Sequence, residues 1–148
     1  MAFAKPNDWA AGRCPAFTPA DITVCAPRFR QEVTDADKNE IGVIGILPAG
    51  CVPAMQMIVD AYKLGGKIEI GILDEEAGEL SHKEEDGGGK WAYAVELQAD
   101  VATVVAPTLK LVHVKPVPYD RKIAVKGVNL VPAGDDAHFC VTVPYCAR

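Results

Sequence analysis

Three histidines, five cysteines and a dense run of carboxylates are the residues of this chain that could do chemistry. His82, His113 and His138 are dispersed along it. His82 stands near Glu79 and Glu84 and could make a weak surface metal contact. A solvated loop histidine is the plainer reading, because a metal site needs several convergent ligands that are themselves held in place. A cysteine–histidine nucleophile, for example Cys140 with His113, requires the two to meet in space, and the spacing singles out no pair. The stretch Asp35-Ala36-Asp37-Lys38-Asn39 begins like a calcium loop. Glu40 then occupies the sixth position, where glycine belongs, and Ile46 the twelfth, where glutamate belongs, so calcium binding of that type is discarded. Gly87-Gly88-Gly89-Lys90 is followed by Trp91 and is no phosphate cradle. The dinucleotide, serine-hydrolase and zinc-protease fingerprints are missing. Paired carboxylates for glycoside chemistry belong in a cleft, whereas the acids here crowd one loop, Asp74, Glu75, Glu76, Glu79, Glu84, Glu85 and Asp86. The expectation is a protein without catalytic residues, metal or cofactor.

The elements that would position any site read as strands. Glu40 to Asp74 holds three apolar runs parted by two turn signals, Leu47-Pro48-Ala49-Gly50 and Leu64-Gly65-Gly66-Lys67. Proline at the second position and glycine at the fourth suit a type I turn; the Gly-Gly pair suits a tight hairpin. Ile68, Ile70 and Ile72 then alternate with Lys67, Glu69 and Gly71, the period of a half-buried strand. Ile41 to Leu47 is apolar on both faces, which implies burial on both sides or cover by another subunit. Val52 to Tyr62 reads as a strand whose second face carries Ile58 and Tyr62, with a helix over 53–63 as the competing reading.

Further strands are expected at Ile22–Thr34, Trp91–Gln98, Thr108–Tyr119, Arg121–Val128 and His138–Tyr145, with a shorter one or a crossing between sheets at 100–106. Asp74 to Lys90 reads as a long, glycine-rich, mobile acidic loop. Val131-Pro132-Ala133-Gly134 echoes the earlier Pro-Ala-Gly corner and suggests equivalent turns in two halves of a sandwich. Residues 1–21 lack periodicity and contain Pro6, Pro15 and Pro19; Trp9 and Phe17 either pack that arm on its own domain or anchor it to a neighbour. The fold expected is therefore all-β, an antiparallel sandwich or jelly roll, with residues 1–21 as an extended N-terminal arm and 22–148 as a single domain.

Composition narrows the function. The chain has 148 residues, enough for one domain, and 49% hydrophobic residues, enough to bury a full core. Its net charge of −5 and the absence of basic residues interleaved with aromatics argue against nucleic-acid binding. No run approaches the ~20 apolar residues of a membrane helix, and the N-terminus lacks the apolar centre of a signal peptide. Folding in a reducing cytoplasm is expected, with Cys14, Cys25, Cys51, Cys140 and Cys146 as free thiols.

The stretch from Ile44 to Asp74, with its GILPAG turn, an apolar strand ending in an acidic residue and then GGKIEIGILD, resembles a recurrent core of small tailed-phage structural proteins. A weaker likeness runs through Val131 to Gly134 and covers roughly residues 40–145. The resemblance implies a capsid decoration or cement protein: a jelly-roll homotrimer clamped on the exterior of an icosahedral bacteriophage head, made in the host cytoplasm, with the major capsid protein and its own copies as partners. It carries no enzymatic residues. Candidate capsid or subunit contacts on that reading are Trp9, Phe17, Ile41 and Val43. Two alternatives stay open. One is another virion part, a head fibre base or head–tail connector. The other is a jelly-roll carbohydrate-binding module or enzyme with a concave pocket lined by Trp91, Tyr93 and His113.

Overall fold

The computed structural model describes residues 2–14, 23–54, 56–98 and 101–147, the side chain of Tyr93 excepted. Strands dominate them: β1 Val24–Cys25, β2 Arg28–Glu32, β3 Ile41–Leu47, β4 Cys51–Pro53, β5 Ile58–Tyr62, β6 Leu64–Asp74, β7 Glu79–Leu80, β8 Ala92–Glu96, β9 Ala102–Val104, β10 Arg121–Pro132, β11 His138–Thr142 and β12 Tyr145–Ala147. One short helix, α1, spans Leu109–Val112. Every strand pair among the described residues is antiparallel.

Two sheets face each other. In the first, β10 lies between β3 and β6, and β6 also pairs with β7 and β8. The second has the order β2-β11-β5-β9, and a further group has the order β1-β12-β4. These last two are one bent sheet. β1 runs into β2 across Pro27, β11 into β12 across Pro144, and β4 into β5 across residues 54–57. Proline cannot donate to a ladder, so the first and last of these strands break at Pro27 and Pro144. The breaks stay bridged: Val143 N–H donates to Pro27 O (3.2 Å) and Ala54 N–H to Pro144 O (3.0 Å). Counting each interrupted strand once, the first and last strands lie side by side in the bent sheet. That double-sheet order is of the jelly-roll kind, and the expected all-β sandwich is the fold observed.

The core fills the space between the sheets. Ile68, Ile70 and Ile72 of β6 and Ile123 and Val125 of β10 point into it from one side. Phe29, Val59, Phe139 and Val141 meet them from the other. β3 brings glycines to this face because rings lie directly on its backbone. A Cβ at Gly45 would sit 2.5 Å from the Phe29 ring, and one at Gly42 would collide with Phe3.

Five local expectations are corrected. Gly65 and Gly66 form no hairpin: they lie inside β6, while the chain crosses from the bent sheet to the first sheet at Lys63, whose φ is 50°. The first Pro-Ala-Gly turn closes one residue later than read, Cys51 N–H donating to Pro48 O (3.1 Å), with Gly50 third in the turn at φ 75°. The second is no equivalent corner, since β10 continues through Pro132. Thr108 to Tyr119 is not a strand; it forms α1, with Leu111 and Val114 buried at helical spacing and Leu109 and Val112 outside. Finally, 74–90 is a built segment holding β7, a 3-10 turn at Glu84–Asp86 and the buried Ser81 and Asp86.

Candidate interaction surfaces

The N-terminal segment closes one open side of the sandwich, where β2 and β3 are edge strands. Asn7 Nδ2 donates to Arg30 O (3.1 Å) on β2 and to Ile44 O (2.7 Å) on β3, stitching the two sheets together. Gln31 Nε2 donates to Lys5 O (2.7 Å), and Ala4 N–H donates to the buried Asp37 carboxylate (2.9 Å). Asp37, first in view as a would-be calcium ligand, thus ties down the chain start. Phe3 is buried and meets Phe139 edge-on at 6.1 Å. Trp9 is half-buried, its ring edge-on to Phe29 at 4.9 Å. Residues 2–14 are therefore packed on their own domain; Phe17 lies outside the described residues.

The outer face of the first sheet is covered by the chain itself. Leu80 folds over Gly71, its Cβ 3.5 Å from where a Gly71 Cβ would be, and buries Ile41 and Ala124 with Leu73 packed beside them. Ile41 is enclosed by the segment after β6, while Val43, paired with Ala124, remains half-buried. The acidic segment is strapped down by lysines. Glu79 accepts from Lys126 (2.6 Å), Glu69 from Lys90 (2.6 Å), Glu84 from Lys115 (2.5 Å), and Glu75 pairs with Lys122. Burial works to raise the Glu79 carboxyl, but the Lys126 hydrogen bond and the Leu80 N–H outweigh it and hold it below the usual range. Lys126 is raised in turn by Glu79.

Beneath this strap lies a buried ion pair. Arg121 Nη1 reaches Asp86 at 3.1 Å and also donates to Glu85 O (2.9 Å), while Nη2 donates to Cys51 O (3.1 Å) and Lys115 O (2.9 Å). Asp86 accepts from Ser81 Oγ (2.6 Å), and its carbonyl accepts from Trp91 Nε1 (3.2 Å). One guanidinium thereby joins β4, β10 and the segments that follow β7 and α1.

Several exposed apolar side chains lie elsewhere. On the outer face of the bent sheet Ile58 and Tyr62 of β5 lie beside Val101 and Val104; apart from these, Leu109 and Val112 on α1 are about 70% exposed (72% and 69%). A groove of about 340 Å³ between β4 and α1 is lined by Val52, Pro53, Gln56, Pro107, Val112 and Val114. Arg28 and Asp60 pair on the same face at 2.5 Å, and Tyr62 stacks at a tilt on His138 (5.4 Å). Ile58 and Tyr62 carried this signal in the sequence. Leu109 and Val112 were hidden, because strand alternation assigned Leu109 to the same face as Leu111.

The residues considered for chemistry do not converge. His82 and His113 are exposed and His138 lies on β11. Among the described residues no three of His, Cys, Asp and Glu gather to hold a metal. Burial, and next the Asp60 charge, push the Cys140 thiol up to about 11, which keeps it protonated and a poor nucleophile. Trp91 is fully buried and cannot line an open pocket; the Tyr93 side chain lies outside the described residues.

The fold has a known counterpart. A chain of a solved structure titled "Capsid of Ralstonia phage GP4" is similar over 97% of this chain and 97% of its own, with a TM-score of 0.73 and 19% identity. At that identity the likeness establishes a shared fold. No family model and no curated protein sequence matches.

Proposed function

We propose that this protein is a virion structural protein that decorates the exterior of a tailed-phage head and cements neighbouring capsid subunits. One observation carries the reading: the chain matches, end to end, a chain from a phage capsid structure. The surface agrees with it. Exposed apolar residues lie on the outer face of the bent sheet, at Ile58, Val101 and Val104, and on α1, at Leu109 and Val112, the kind of surface that marks a binding face. Trp9 contributes to attachment through its exposed part, Val43 at the rim of the strap, and Phe17 from the arm beyond it. The partners on this reading are the major capsid protein and further copies of the chain, associated in threes.

Co-sedimentation of the purified protein with empty heads of the encoding phage tests it. Removing residues 1–21 would strip Phe3 and Asn7 from the sandwich, so surface variants are the better probe. The wild type should pellet with the heads, and Leu109→Lys/Val112→Glu should pellet less while keeping its far-ultraviolet spectrum. Failure of the wild type to pellet overturns the proposal. Copy number separates decoration from a connector: hundreds per particle support the former, six or twelve the latter.

A further inference from the structure

Sheet edges are places where another chain can add a strand, and proteins usually guard them. Most edges here are guarded. Asn7 occupies carbonyls of both β2 and β3. β8 is interrupted by Ala94 at φ 42°, where its register with β6 shifts. β1 and β7 have two residues each, and β4 ends in Pro53. β9 differs. It is the last strand of its sheet, with Ala102 and Val104 exposed, and no other described residue pairs with its far side. It has no proline and no bulge, and residues 101–109 contain no ionisable side chain.

The polarity of this edge can be read from its other side. Val105 N–H donates to Met57 O (2.9 Å), so Val105 and, two residues earlier, Thr103 turn their backbone groups toward β5. The alternation of an antiparallel ladder then turns the N–H and C=O of Ala102 and Val104 outward. We propose that β9 pairs with β9 of a second copy, antiparallel, across a two-fold axis through Thr103. In that register Ala102 stands opposite Val104 of the second copy, and each such pair exchanges both N–H···O bonds. Thr103 meets Thr103 side by side. A two-fold contact sets each residue against its own counterpart or that residue's neighbour, so a charge near its centre would oppose itself; this strand has none. The pairing joins two four-stranded sheets into one continuous sheet and brings Val104, 58% exposed in the single chain, onto Ala102 of the other copy. It is independent of shell binding and of any three-fold contact.

Two measurements without shells test it. Ala102→Cys and Val104→Cys variants are mixed under mild oxidation, and cross-links are mapped by peptide mass spectrometry to set aside the native thiols. Residues opposed in a bonded pair lie ~5.5 Å apart, within disulfide reach. A 102–104 cross-link should form in the mixture, while each variant alone links to itself only weakly. Equal linking of the single variants, or none in the mixture, overturns the pairing. In the wild type the Ala102 and Val104 amides should exchange more slowly as concentration rises, with the β5-bonded Thr103 amide unchanged. Exchange of both amides that stays independent of concentration overturns it as well.

Discussion

Arg121 is the side chain whose removal should be felt most. It is 4% exposed and touches Asp86, Glu85, Cys51 and Lys115, so its loss leaves a buried carboxylate without its counter-charge and takes a donor from the carbonyls of Glu85, Cys51 and Lys115. Arg121→Met should lower the unfolding free energy by roughly 3–5 kcal/mol in urea titrations. Adding Asp86→Asn should recover part of that, because the unpaired charge is then gone. Glu79 makes a gentler claim, readable in pH. Its folded carboxyl lies below the ordinary value, so its contribution is present above about pH 4.3 and fades as acidification passes through the folded value. Lys126, raised by the same pair, loses its contribution only as alkaline pH passes its folded value. Glu79→Gln should therefore start with a lower Tm at neutral pH and lose less of it on acidification than the wild type. Parallel Tm curves for the two would show that the pair contributes nothing to folding.

At the scale of elements, the strap over 74–90 and α1 hold each other. Thr108 Oγ1 donates to Lys90 O (2.7 Å), Thr108 N–H to Trp91 O (3.1 Å), and Lys115 N–H to Glu85 O (2.9 Å). Gly87, at φ 93°, lies so close to Lys110 O that a Cβ would overlap it. Gly87→Ala should cost at least roughly 1–3 kcal/mol and raise amide exchange in 84–91 and 108–115 together; loosening of one segment alone would mean they are not coupled. These contacts explain what the sequence made legible. β6 announced itself because Ile68, Ile70 and Ile72 face one core and alternation records a single buried face. The segment after Asp74 resembled a mobile loop because its anchors are single residues: Leu80 over Gly71, and Asp86 beneath Arg121 some thirty-five positions away. α1 imitated a strand because Leu109, Leu111 and His113 alternate, yet the segment has no ladder partner and buries Leu111 and Val114 instead. Of the candidate contacts, Ile41 read as surface-seeking because a doubly apolar strand needs two covers. A local pattern cannot tell that the second cover comes from the same chain.

For the molecule as a whole, closure of the sandwich is the property that sets accessibility. Cys14, Cys25 and Cys146 are half-exposed, whereas Cys51 is buried in the core and Cys140 on the outer face of the bent sheet beside Asp60 and Arg28, and all five are free thiols. Burial raises the Cys51 thiol as it does that of Cys140, so both are unreactive for two independent reasons, lack of access and lack of thiolate. The N-terminal segment is part of the seal over the core, since Phe3 packs on Gly42 and Phe139, on the opposite face of β11 from Cys140. A thiol reagent applied to the native protein should modify Cys14, Cys25 and Cys146 quickly. Cys51 should react only at the rate at which the whole sandwich opens, whereas Cys140 is reached as soon as the side chains over it part. Phe3→Ala should lower stability by about 3–5 kcal/mol and speed labelling of Cys51 by the factor that this loss of global stability demands. If Phe3→Ala lowers stability and leaves the labelling of Cys51 unchanged, that thiol is exposed by a local opening that leaves the N-terminal segment in place.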